Sequence, residues 1–149
     1  MTSEVLVAEH ELEYTYTRST GPVVGTFLAG LKDQRIFGVR ANDGRVLVPP
    51  ADYDPVTSDT LERDAMIEVG DAGVVTTWAW NASPREGQPL PRPFAWALVK
   101  LDGADTPLLH AVDVSSPDQI KTGDRVKARW AAERVGSIRD LECFEVIDA

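Results

Sequence analysis

The stretch that most restricts how this chain can fold runs from Phe94 to Val114. It reads Phe94-Ala95-Trp96-Ala97-Leu98-Val99-Lys100-Leu101, breaks at Asp102-Gly103-Ala104-Asp105, and resumes as Leu108-Leu109-His110-Ala111-Val112. Each apolar run is too short for an ordinary helix and Gly with Asp lies between them, so they read as adjacent antiparallel strands in the middle of a sheet. Phe94, Trp96 and Leu98 point to one face, and Ala95, Ala97, Val99 and Leu101 to the other. Neither face turns polar before Lys100, which is the pattern of a small barrel wall whose outer side is also covered, by another element or by a partner chain.

Three more strands are legible around this pair. Val74 to Trp80 alternates, Arg125 to Ala132 follows the turn Gly123-Asp124, and Leu141 to Ile147 ends the series. Five short strands joined by turns, with no recurrent long helix, predict a mainly β fold built on a five-stranded Greek-key barrel. The loop from Asn81 to Pro93 holds Pro84, Pro89, Pro91 and Pro93 and carries Arg85, Glu86 and Arg92. Loops of that length between paired strands are often functional.

Ahead of the barrel, Pro22 suits the first turn of a helix, and Val23, Val24, Phe27, Leu28 and Leu31 recur at helical spacing up to about Asp33. Gly25 and Gly30 each cost about 1 kcal/mol relative to Ala, so this helix is expected to lie against a surface that allows close approach. Arg35 to Arg40 and Arg45 to Val48 flank Asp43-Gly44, a hairpin signal of the primed-turn kind, and Pro49-Pro50 ends the second strand. From Ala51 to Asp71 the acids Asp52, Asp54, Asp59, Glu62, Asp64, Glu68 and Asp71 face the single base Arg63, which reads as a polar connector. The first 20 residues open acidic and then alternate, with Leu12, Tyr14 and Tyr16 on one side and Glu13, Thr15 and Thr17 on the other. That segment is either an edge strand or an arm laid on a partner. The expected division is an arm over 1–21, a helix-and-hairpin module over 22–60 and the barrel over 61–149.

The 149 residues carry a formal charge of -9, with 24 acids against 15 bases, which argues against a nonspecific nucleic-acid binder because backbone recognition requires phosphates to be neutralised. A cationic stripe does exist: Arg125, Lys127 and Arg129 share a strand face, and Arg134 and Arg139 follow. It can meet phosphates, including those of coenzyme A, acids on another subunit, or solvent alone. Trp78, Trp80, Phe94, Trp96 and Trp130 read as core or interface area in preference to base-stacking platforms. One cysteine, Cys143, excludes an intrachain disulfide and a cysteine-rich metal site. No apolar run approaches the ~20 residues that span a bilayer, and no basic segment precedes an apolar one at the start, so a cytoplasmic protein is expected. His10 and His110 are the only imidazoles. With no recognisable Ser or Cys nucleophile motif nearby, His110 reads as a structural histidine among leucines, or as an acid or base in a pocket completed by a partner.

The order of features resembles the thiolase-associated OB-fold proteins, a family with an amino-terminal helix, a rubredoxin-like zinc ribbon and a carboxy-terminal OB barrel. The residues that carry the resemblance are GRVLVPP at Gly44–Pro50, Asp54-Pro55, GDAGVVTTWAW at Gly70–Trp80, PFAWALVKLDGADTPLLHAVD at Pro93–Asp113 and Gly123-Asp124-Arg125-Val126. In that register the four zinc-binding cysteines of the family fall on Arg40, Asp43, Asp54 and Thr57. None can form a tetrahedral thiolate site, so no zinc is expected and the ribbon is degenerate. Tyr14–Leu31 and Gly38–Asp59 resemble the zinc-less branch, found with a steroid side-chain enoyl-CoA hydratase.

The resemblance implies a non-catalytic accessory subunit, without a cofactor, that pairs with a thiolase-like aldolase of the lipid-transfer-protein type. The implied assembly is a heterotetramer of two plus two, with enoyl-CoA hydratase subunits as further partners and no nucleic acid or membrane. The partner would perform a retro-aldol cleavage of a steroid acyl-CoA to a 17-ketosteroid and propionyl-CoA. Phe27, Leu31, Phe37 and Trp96 are the expected interface residues; Arg85, Arg92 and His110 are the expected acyl-CoA-facing ones. Three alternatives stand beside it: an accessory subunit for another acyl-CoA hydratase or thiolase, a self-contained acyl-CoA hydrolase or lyase using His110, and a single-stranded nucleic-acid binder.

Overall fold

The computed structural model describes residues 3–148. A helix, α1 (Gly21–Lys32), is followed by β1 (Ile36–Arg40), β2 (Val46–Leu47) and β3 (Met66–Val69), and then by β4 (Ala72–Asn81), β5 (Phe94–Leu101), β6 (Leu108–Val112), β7 (Arg125–Trp130) and β8 (Leu141–Val146). The first three strands form an antiparallel sheet in the order β2-β1-β3. The other five form a mixed, OB-like sheet ordered β4-β5-β6-β8-β7, with β7 returning to pair with β4. Four of these pairings are antiparallel; the fifth, β6 with β8, is parallel and consists of Val112↔Phe144.

β5 occupies the middle of this sheet, as its two-faced apolar sequence requires. Ala95, Ala97, Val99 and Leu101 are fully buried and share an interior with Val75, Val112, Val126, Leu141 and Phe144. On the outer face, Phe94 meets Trp96 edge to face at 5.0 Å, and both pack with Leu90, Ala111 and Cys143. Leu90 belongs to the loop between β4 and β5, so the cover over the outer side of β5 comes from this chain. Small residues set the β4–β5 spacing: at Gly73, opposite Leu101, a Cβ would lie 2.3 Å from the Lys100 carbonyl oxygen.

The helix buries Val23, Phe27, Gly30 and Leu31. At Gly30 a Cβ would stand 2.6 Å from the Phe37 ring and 2.9 Å from the Arg35 carbonyl oxygen, so the close approach expected of a glycine-bearing helix occurs there, against β1. Phe27, Leu31, Ile36, Val46 and Val48 join the same apolar core as the interior of the five-stranded sheet. Backbone groups reinforce that junction. Val46 N–H donates to Asp105 Oδ2 at 2.8 Å, Val48 N–H donates to Thr106 Oγ1 at 2.8 Å, and Asp105 N–H donates to the Val46 carbonyl at 2.9 Å. The outer edge of β2 is thereby occupied.

Three local expectations change. Met66–Val69, read as part of the polar connector, is a strand paired with β1 in the register Ile36↔Val69 to Val39↔Met66. Its four residues are too few for a periodic signal, and the acid among them, Glu68, is paired with Arg35 at 2.7 Å. The hairpin turn runs from Ala41 to Gly44, and only Gly44 has positive φ (91°), whereas a primed turn needs that geometry at its central residues. Residues 3–20 form no strand and are exposed throughout. Their alternation is not matched by any ladder among the described residues.

Candidate functional site

The parallel register of Val112 with Phe144 puts Leu109 and His110 opposite Leu141 and Glu142, where β6 and β8 have separated. The opening is a groove of about 730 Å³ lined by Trp96, Leu109, His110, Ile138, Arg139, Leu141 and Glu142, with Gly87, Gln88 and Pro89 at its rim. Leu109 is 58% exposed and Ile138 44% exposed, so apolar surface faces solvent here. The rim is held by Gln88, whose Oε1 accepts from Asn81 Nδ2 at 2.8 Å and from the Arg85 N–H at 3.0 Å. Groove size and apolar walls with few polar groups are those of a small-molecule or peptide site.

His110 lies in the wall but is chemically occupied. It is buried, stands edge-on to Phe144 at 5.9 Å, and accepts the Ala111 N–H on Nδ1 at 2.8 Å. Burial pushes its pKa down to about 4, against backbone hydrogen bonding at Leu141 and Ala111. A neutral imidazole with its acceptor nitrogen engaged has no free lone pair for base catalysis. Cys143 is buried with Leu90, Phe94 and Ala111, and burial pushes its thiol up to about 12, far from a reactive thiolate.

The cations expected to face acyl-CoA are not gathered with His110. Arg85 is exposed in the loop, Arg92 pairs with Asp113, and neither lines the groove. The stripe on β7 is compensated from within the chain. Arg125 donates two hydrogen bonds of 2.7 Å to Asp102. Arg129 reaches Glu142 at 2.5 Å, Glu145 at 2.6 Å and Asp113 at 2.8 Å. Burial works against the charge on Arg129, but the hydrogen bonds it donates to Glu145, Asp113 and Glu142 prevail and raise its pKa. A guanidinium with three carboxylate partners has little left for a phosphate, so Arg125 and Arg129 are committed within the chain and Lys127 alone of the stripe stays exposed and unpaired among the described residues. Of the cations that follow it, Arg139 is brought to the groove. Leu109 and Ile138 were not singled out from sequence; their signal was an apolar side chain at a position where strand parity or loop composition called for a polar one.

The expected interface set divides. Phe27 and Leu31 are buried in the core of the chain, because the apolar stripe of α1 turns inward, and they offer no surface to a partner. Phe37 is half-buried with the Arg35 guanidinium 4.9 Å above its ring, and Trp96 is half-buried in the groove.

Two of the four degenerate knuckle positions close around a cation of the protein itself. Arg45 Nε donates to Asp43 Oδ2 at 2.6 Å, and Arg45 Nη2 donates to Asp54 Oδ2 at 2.8 Å and Oδ1 at 3.1 Å. Asp54 is 2% exposed, and the Val56 N–H and Arg45 hold its carboxyl below the usual carboxylate range against the cost of burial. Thr57 Oγ1 donates to Asp59 at 2.7 Å, and Arg40 is exposed. The guanidinium thus supplies between the two carboxylates the positive charge that a metal supplies in a knuckle. Arg45→Met is expected to lower the thermal midpoint, while a chelator leaves the wild-type midpoint unchanged. A fall with chelator in the scan of the wild-type protein would show instead that a metal holds the hairpin.

These elements define an OB-like β domain with a helix and a small antiparallel sheet in front, and with no cluster of metal-ligating side chains among the described residues. Residues 66–131 match the family model described as "ChsH2, C-terminal OB-fold domain". A search of curated proteins returns no match. Two solved structures share the fold. A protein of unknown function from the DUF35 family of Sulfolobus solfataricus is 23% identical, with a TM-score of 0.61 over 86% of this chain and 87% of that one. The Ltp2-ChsH2(DUF35) aldolase is 21% identical, with a TM-score of 0.58 over 81% of this chain and 91% of that one. No helix among the described residues is long and apolar enough to cross a membrane.

Proposed function

We propose that this chain is a non-catalytic accessory subunit of a thiolase-like aldolase that cleaves a steroid side-chain acyl-CoA by a retro-aldol reaction. The observation that carries this reading is the family match over 66–131, and the likeness to the Ltp2-ChsH2(DUF35) aldolase supports it. The chemistry of the chain agrees: His110 is held neutral with Nδ1 engaged, and Cys143 is a buried thiol. The partner supplies the catalytic groups, releasing propionyl-CoA and a 17-ketosteroid, in a complex of two plus two chains. Here the five-stranded sheet acts as a Greek-key OB barrel over 61–149, with the degenerate ribbon over 22–60 and an arm over 1–21 as docking surfaces. Trp96 and Phe37 are the remaining interface residues of the expected set, and Arg85 is the exposed loop cation available to the phosphates of coenzyme A.

The test is co-purification with a thiolase-like chain encoded beside it, mass determination, and acyl-CoA turnover with and without this chain. A heteromer whose activity needs both chains is expected. Thioester turnover by the isolated chain, abolished in His110→Ala, would replace this reading with a self-contained enzyme.

A further inference from the structure

We propose that residues 11–17 are a strand held ready for a partner, adding to an exposed sheet edge of the thiolase-like subunit that is apolar on one face and bears Lys or Arg on the other. This rests on the accessory role proposed above. The segment Glu11-Leu12-Glu13-Tyr14-Thr15-Tyr16-Thr17 alternates strictly, and only an extended backbone puts Leu12, Tyr14 and Tyr16 on one side. These side chains are 66%, 74% and 76% exposed, and nothing among the described residues covers them. Its β-branched and aromatic residues fit a pleated, half-buried surface. A single extended segment leaves both rows of its backbone groups to water, and an acceptor edge would satisfy one of them while its pockets take alternate side chains.

Charge decides what that acceptor is. Opposite the apolar side stand Glu11 and Glu13, which call for cations on the neighbouring strand. The edges of this chain do not offer them. That of β2 is taken by Asp105 and Thr106, and β3 bears Glu68. The far half of β4 has an open edge, since its pairing with β7 covers Ala72 to Val74 and hydrogen bonds to Gly123 and Asp124 cover Val75. Yet β4, reading AGVVTTWAWN, contains neither Lys nor Arg. A second copy therefore mismatches the acidic face, whereas a different chain with a basic edge strand matches both faces.

The experiment compares three forms against the purified thiolase-like subunit: the full chain, a chain lacking residues 1–18, and Leu12→Ser/Tyr14→Ser/Tyr16→Ser. Thermal unfolding checks that all three keep the same midpoint, as expected when no altered residue touches the core. The two altered forms are expected to bind at least about 30-fold more weakly, the scale set by the loss of buried aromatic anchors. In the full complex, alternate amides within 11–17 should become protected from hydrogen exchange, because a strand added to one edge engages every second N–H. Equal binding by all three forms, or unchanged exchange over 11–17, overturns the strand proposal and leaves the accessory role intact. Arm-dependent self-association of the full chain would overturn it in favour of a second copy. Failure of the full chain to bind the subunit at all overturns both readings.

Discussion

Phe144→Ala lowers the unfolding free energy by about 3–5 kcal/mol, the range for deleting a fully buried aromatic ring. Phe144 has no exposed surface and belongs to the main core. Its backbone also makes the Val112↔Phe144 pair that links β6 to β8, and its carbonyl accepts the Asp113 N–H at 2.8 Å. On its other side β8 is held by β7 through five paired positions from Val126↔Val146 to Trp130↔Leu141. A strand fixed in this way cannot move inward to fill the space of a lost ring, so the cavity term is retained nearly in full. Phe144→Leu keeps most of the volume and should cost about 1–2 kcal/mol. Urea unfolding with an unchanged m-value checks both. A loss below about 1 kcal/mol for the alanine variant would show that the β6–β8 junction can collapse, and that its single pair does not fix the sheet.

His110 makes stability depend on pH. In the unfolded chain its imidazole takes up a proton near pH 6.5, while in the folded protein burial keeps it neutral down to about pH 4. Between those values the unfolded state binds more protons, so stability falls as pH drops from 6.5 to 4 and this group adds no further loss below that. At about 1.4 kcal/mol per pH unit, the fall amounts to about 3 kcal/mol. His110→Gln is expected to flatten this part of the profile, read from urea unfolding at pH 7, 5.5 and 4.5. The carboxylates Asp54, Glu68, Asp102 and Asp140 are held below their ordinary range by hydrogen bonds. Their stabilisation is present above their unfolded pKa values and is lost from about pH 5 downward, as pH falls through the lower folded ones, so it overlaps only the acid end of the His110 window and acts alike in wild type and variant. Parallel decline of wild type and variant between pH 7 and 4.5 would mean that His110 is reached by solvent in the folded state.

A strained backbone or a missing partner is not needed to explain why some residues proved harder to read than others. The strands of the five-stranded sheet announce themselves because each runs for five or more residues, and an alternating apolar pattern is visible at that length. β3 has four residues and sits among charges, and its strand character comes from the β1 edge beside it. The stripe Arg125, Lys127, Arg129 looked like an anion site because spacing shows which cations share a face. It does not show that Asp102, Asp113, Glu142 and Glu145 come to meet Arg125 and Arg129 from the β5–β6 turn, the residue after β6, and β8. Trp96, His110 and Arg139 of the groove were singled out separately, but nothing in the sequence joined them, because its walls come from β5, β6, β8, the loop before β5 and the turn before β8.

What the sequence by itself determined is the set of local commitments: the two-faced strand Phe94–Leu101, the apolar stripe of α1, the turn at Gly44 and the loss of the four thiolates. Each follows from side-chain period, backbone φ preference or ligand chemistry within a few residues. Only the tertiary structure decided that Phe27 and Leu31 serve the core of the chain, that Arg45 stands between Asp43 and Asp54 in place of a metal, and that Arg125 and Arg129 of β7 are paired with acids of this chain. Those outcomes depend on which groups distant in sequence arrive within about 3 Å of one another, and electrostatic attraction and burial act on that distance and not on separation along the chain.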